Sequence, residues 1–129
     1  MKNIKVIKVL RDTQSAFDHG EYTLHYTPHK WTYPSVGKIY AFQDFQHAMQ
    51  WASEYPGDSL WEAEAEIIRN GNCIMEIEEG CFFYDFWEWY SLYMKGFVSA
   101  VPPCISVANA PSGTVLCNKL RITRRIKDL

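Results

Sequence analysis

A chain of 129 residues, 47% hydrophobic and 22% charged, with 7 Gly and 6 Pro, has the size of one domain and excludes collagen-like, low-complexity and disordered classes. Lys+Arg number 13 against 15 Asp+Glu, a net charge of -2, so no global positive field draws a polyphosphate backbone and nucleic acid is not an expected partner. The departure from average is aromatic: 7 Phe, 8 Tyr and 5 Trp make up 16% of the chain.

The opening, Met1 to Leu10, interleaves Lys2, Lys5 and Lys8 with apolar residues, unlike the unbroken apolar run of a secretory signal. No apolar stretch reaches the roughly 20 residues that span a bilayer, so no membrane partner is expected. Cys73, Cys81, Cys104 and Cys117 form no C-x-x-C and no dense disulfide framework. These features together predict a cytoplasmic protein with reduced, packed thiols.

In chain order, Ile4 to Leu10 is short, β-branched and bounded by Arg11-Asp12, which predicts a first strand. Thr13 to Gly20 reads as a turn. Glu21 to Tyr26 sets Tyr22, Leu24 and Tyr26 against Glu21, Thr23 and His25, the period of a half-buried strand. Pro28 and Pro34 then bound a loop holding His29, Lys30, Trp31 and Tyr33. Asp44 is a good N-cap, and Phe45, Ala48, Met49 and Ala52 recur at helical spacing, predicting a helix over 44–55 packed on the sheet through Phe45, Met49 and Ala52.

Ser59 to Ile68 has helix-forming Ala and Glu, yet Trp61, Ala63, Ala65 and Ile67 alternate strictly with Glu62, Glu64 and Glu66. Only a strand places those glutamates on one face, so a strand is predicted. Cys73 to Ile77 forms a further short strand. Asp85 and Glu88 resemble a capping box and Gly96 suits a C-terminal cap, giving a second helix over 86–95 with Phe86, Trp89, Tyr90 and Tyr93 on one face. Residues 98–113 read as a loop with a short strand near Ile105 to Val107. Thr114 to Ile126 is a last strand, with Leu116, Leu120 and Ile122 pointing one way and Lys119, Arg121, Thr123 and Arg125 the other. Its basic face is the natural counterpart of the glutamate row. The expected fold is α+β: a single domain over 1–129 with a mostly antiparallel sheet of five or six strands and two helices.

Chemical motifs are sparse. His25 and His29 form H-x3-H across Pro28 but lack a C-x2-C partner, so no metal is expected; no phosphate-binding glycine loop or G-x-S-x-G is present, and no cofactor is implied. Cys and His could meet in space as nucleophile and base, but packed thiols and surface imidazoles explain the same residues. The glutamate row would suit acid/base work and equally an ionic ladder with Lys119, Arg121 and Arg125. What the core and strands do not absorb is a set of rings. Trp31 and Tyr33 from the Pro-bounded loop, Tyr40 from the strand after it and Trp87 from the second helix would make an aromatic cleft, with His25, His29 and Lys30 at its rim. Burial of these rings as separate core anchors is the alternative, and others of the aromatic block at 82–97 would line a groove or a homo-oligomer interface.

The stretch GKIYAFQDFQHAMQWASEYPGDSLWEAEAEI from Gly37 to Ile67, with the ending GTVLCNKLRITRRI, resembles small uncharacterised proteins of tailed bacteriophages and prophages. Tyr40 stands where their second strand carries His or Tyr. The resemblance implies a phage-encoded protein of the host cytoplasm with no established activity. More loosely, the strand with Tyr40 and the A-x-x-W-A helix is similar to the second motif of ADP-ribosyltransferase-like domains. That similarity implies a nicotinamide-stacking role for Tyr40 and a ribose-holding role for His25 or Arg11. The family's late-strand glutamate has no counterpart, since the last strand carries Lys119, Arg121, Arg124 and Arg125. The combined expectation is a non-enzymatic accessory protein that binds a nucleotide-like small ligand or a host protein, with a nucleotide-processing enzyme as the alternative.

Overall fold

A computed structural model describes residues 3–15, 23–53, 57–70, 73–75, 83–98 and 107–129. The elements in chain order are β1 (Asn3–Arg11), β2 (Gln14–Ser15), β3 (Ile39–Phe42), α1 (Phe45–Ala52), β4 (Ser59–Asn70), β5 (Cys73–Met75), α2 (Phe83–Met94), β6 (Val107–Asn109) and β7 (Thr114–Asp128). This is the α+β fold that the sequence implies. Expectations that fall on residues 16–22, 76–82 and 99–106 lie outside the described residues. Among the described residues no helix is long and apolar enough to cross a membrane.

Five antiparallel strands run in the order β2-β1-β3-β7-β4, and β1 also pairs with β4, while β5 and β6 form a separate two-stranded sheet. The large sheet therefore bends round until its two sides meet. One edge of β1 pairs with β4 from Asn3↔Glu66 to Leu10↔Ser59; the other meets β3 at Ile7↔Phe42 and β2 at Leu10↔Ser15. So tight a ring needs small side chains inside it. Ala41, Ala63, Ala65 and Cys117 supply them, packed with Val6, Leu10, Ile39, Val115, Leu120 and Ile122, and Tyr26 joins from the segment after β2.

The Ala/Glu segment is a strand, as its alternation predicts, because Ala63 and Ala65 fill this interior while Glu62, Glu64 and Glu66 face out. Register pairs Glu66 with Lys119, Glu64 with Arg121 and Glu62 with Arg124. The last partner is Arg124 rather than Arg125 because β7 bulges at Thr123, whose hydroxyl donates to the Glu62 carbonyl. A second irregularity at Asn118 corrects the expectation that Leu116, Leu120 and Ile122 share a face. Cys117 and Leu120 both point inward across it, which leaves Leu116 on the outside under α2.

Asp44 caps α1 as predicted, accepting from the His47 backbone N–H at 3.0 Å and lying 2.7 Å from its ring Nδ1. These contacts hold the Asp44 carboxyl below its ordinary range. The helix lies over Val9, Phe42 and Leu60 through Ala48, with Met49, Trp51 and Ala52 alongside. Phe45, expected in that contact, is exposed in the first turn although its spacing sets it on the same stripe as Ala48 and Ala52. α2 ends at Gly96 (φ +78), with the Gly96 N–H donating to Tyr93 and the Phe97 N–H to Leu92, a Schellman cap.

Candidate functional site

The seven residues expected to form one cleft divide between two places. Tyr40 and Trp87 come together, with ring centroids 5.4 Å apart. Trp87 stacks on Tyr90 at 5.7 Å and 13°, meets Phe86 edge-on at 5.1 Å, and belongs to a cluster that covers Leu116. Gly37 explains how the ring fits. A Cβ there would fall 2.2 Å from the indole, and its φ of +76° favours glycine independently. At 4% exposure Trp87 offers no open face. It is a core residue, because the turn before β3 and the rings of α2 close over it.

Trp31 is placed differently. Thr32 exchanges backbone hydrogen bonds with Leu120 (2.8 and 3.1 Å), and the His29 N–H donates to Ile122 at 2.8 Å. The Pro-bounded loop is thus docked along the edge of β7 opposite β4. Strand alternation then puts Trp31 and Tyr33 on the outer face with Arg121 and Lys119. Lys119 Nζ lies 4.4 Å and the Arg121 guanidinium 4.6 Å from the Trp31 ring centroid, both within cation–π range. Tyr33 is 63% exposed; His29 and Lys30 are exposed beside Trp31, with His29 at φ +68° in the left-handed region. His25, also exposed, pairs with Gln14 on the other side of this segment.

The outer face therefore carries aromatics, then cations, then carboxylates. Arg121 is bound to Glu64 at 2.9 Å and Arg124 to Glu62 at 2.8 Å, while Lys5 reaches Glu62 at 3.8 Å. Glu66 is engaged elsewhere, accepting from the Asn118 side chain at 2.9 Å, and Lys38 donates to that same amide at 2.8 Å. Among the described residues Lys119 meets no carboxylate. Its charge rests against the Trp31 ring.

Lys8 is the residue that sequence reasoning missed. It lies between Val6 and Leu10 on the inward face of β1, half-buried, where Nζ donates to the Tyr40 carbonyl at 2.5 Å and stands 5.9 Å from the Tyr26 ring. Desolvation lowers the amine to about 8, partly countered by Cys117. The same burial pushes the Cys117 thiol up to about 12 and raises Tyr26 above its ordinary range. A signal existed: with period 2, Lys5 and Lys8 cannot share a face, so one had to enter the core. Cys117 is a free, buried thiol.

Among the described residues no group of three His, Cys, Asp or Glu could hold a metal ion. Comparison with protein-family models, with curated proteins and with solved structures finds no match.

Proposed function

We propose that the protein is a non-enzymatic, phage-type accessory protein that binds a small nucleotide-like ligand on the Trp31 face. The observation that carries this reading is Lys119, a cation with no carboxylate among the described residues, set 4.4 Å from the Trp31 ring with the exposed Tyr33 beside it. Aromatic planes stack on bases at about 1–3 kcal/mol each, and lysine or arginine takes the phosphate. Lys119, Arg121 and Lys30 supply such charges within one loop and one strand. The proposed surface is accordingly smaller than the cleft the sequence implied: it takes in Trp31, Tyr33, His29 and Lys30 and leaves out Tyr40 and Trp87.

The transferase-like alternative has less support. Its stacking residue would be Tyr40, whose ring is engaged with Trp87. Calorimetric titration with ADP, adenosine and inorganic phosphate tests the reading. Saturable binding of ADP, weaker for adenosine and for phosphate and lost in Trp31→Ala, is expected. Absence of ADP binding at low salt refutes it, and turnover of labelled NAD would move the protein to the enzyme class.

A further inference from the structure

Along the β4 row Glu62 and Glu64 bind the arginines opposite them, Arg124 and Arg121. Glu66, whose partner in register is Lys119, bonds the neighbouring Asn118 amide instead. The irregularity in β7 explains the exchange. Between Ile67↔Cys117 and Glu66↔Lys119 the strand gains one residue, so Asn118 and Lys119 together oppose a single glutamate, an arrangement by which bulges re-aim a side chain. Asn118 Nδ2 donates to Glu66 Oε1 at 2.9 Å, and its Oδ1 accepts from Lys38 Nζ at 2.8 Å. The partners fix which end of the amide is which, since an ammonium only donates and a carboxylate only accepts. Lys38 thus polarises the amide that holds Glu66, and each of these part-buried bonds strengthens the other.

From this geometry we infer that Asn118 is a positioning residue for anion binding: by tying Glu66 to Lys38 it keeps that carboxylate off Lys119 and leaves the ammonium on Trp31 for an incoming phosphate. Lys119 Nζ lies 4.4 Å from the Trp31 ring centroid, with the Arg121 guanidinium at 4.6 Å. Without the bridge, Glu66 stands opposite Lys119 as an ordinary cross-strand charge pair. It would then compete with a phosphate for the same N–H donors and cancel their charge. The consequence for binding rests on the nucleotide reading above; the sorting of charges along the strand does not.

Nuclear magnetic resonance of a chain labelled with carbon-13 at lysine reads the sorting directly. The Lys119 Hε signals, assigned by their loss in Lys119→Arg, are expected upfield because they lie over the Trp31 ring, and Trp31→Ala should abolish the shift. Asn118→Ala should move them towards the ordinary lysine position as Glu66 takes the ammonium. Adding Glu66→Gln to that variant should bring them back, a rescue that a merely structural role of Asn118 does not predict. Signals that stay upfield in Asn118→Ala, or are not recovered in the double variant, would overturn the inference. Glu66→Gln alone should leave them in place, and movement there would overturn it even if Asn118→Ala fails to fold. In calorimetry at low salt, Asn118→Ala should weaken ADP about threefold and the double variant should restore it, with adenosine unaffected. Unchanged ADP affinity despite a displaced Lys119 would refute the positioning role. If no chain binds ADP, the nucleotide reading falls, and the resonance shifts still decide whether Asn118 sorts the charges.

Discussion

Trp31 and Trp87 are both large rings from segments flanking the same sheet, yet they serve opposite ends. Trp87 is enclosed by Gly37, Tyr40, Phe86 and Tyr90, all apolar or aromatic contacts. Trp31 lies against Lys119 and Arg121 on a face that also carries Glu62, Glu64 and Glu66. The difference comes from the strand beneath each ring. Leu116 faces outward before the irregularity at Asn118 and offers Trp87 a greasy floor; beyond it the outward positions are Lys119 and Arg121, and the ring above them is paired with charge. One bulge in β7 thus separates a core from a charged outer face.

The largest way to break this comparison is to remove the enclosed ring. Trp87→Ala should cost about 3–5 kcal/mol, as aromatic truncations in cores do, and a thermal or urea melt would show it. An unchanged melt would mean that the cluster is not a core. Gly37→Ala should follow at about 1–3 kcal/mol, since it adds a Cβ 2.2 Å from the Trp87 ring at a φ of +76°. A paired Gly37→Ala, Trp87→Leu variant sharpens the point, because with the indole gone only the backbone strain should remain.

Where the sequence was legible, one local rule governed. β4 could be read from alternation because Trp61, Ala63 and Ala65 face the interior of the ring while the glutamates face out, so strand period outweighed helix propensity. Asp44 and Gly96 act within a single turn and were equally readable. The illegible features depend on distant partners. The bulge at Asn118 is set by pairing of β7 with β4, and nothing within GTVLCNKLRITRRI marks it. Phe45 has the right spacing for burial yet is exposed, and spacing alone does not show how far the contact with the sheet extends along α1. Trp31 lies in a Pro-bounded stretch that reads as a loop because the bridge beside it, Thr32 with Leu120, joins residues far apart in the chain. Only Lys8 could have been found from the residues at hand.

Lys8 offers a pH-dependent test of the interior against the outer face. Lys8→Met should raise stability by roughly 1 kcal/mol at pH 7, by removing a poorly solvated charge. The folded chain releases this proton near 8 and the unfolded chain near 10.5, so the unfolded state binds more protons across that window and native stability gains with rising pH. The penalty is full below about 8, and the advantage of Lys8→Met should shrink above it. Above pH 9 Cys117 acts in the opposite direction, since the unfolded thiol ionises first. Chemical denaturation of both chains between pH 7 and 9 isolates the lysine, and a constant difference would show that its amine is not desolvated.

The smallest expected effect lies on the outer face itself. Glu64 shares the Arg121 guanidinium with Trp31, bonding it at 2.9 Å while the ring centroid lies 4.6 Å away. Both partners are partly exposed, so Glu64→Gln should move stability by less than about 1 kcal/mol, and by less still in high salt. The exchange nevertheless removes one negative charge beside Lys119 and Arg121 and leaves the ring in place. A phosphate-bearing ligand on this face should then bind about two- to threefold more tightly at low salt, the scale of one screened charge–charge interaction near a protein surface. Adenosine, which carries no charge, should not respond. Calorimetry with ADP and adenosine against native chain and Glu64→Gln reads both at once, and a gain for adenosine or a loss for ADP would place the ligand away from Arg121.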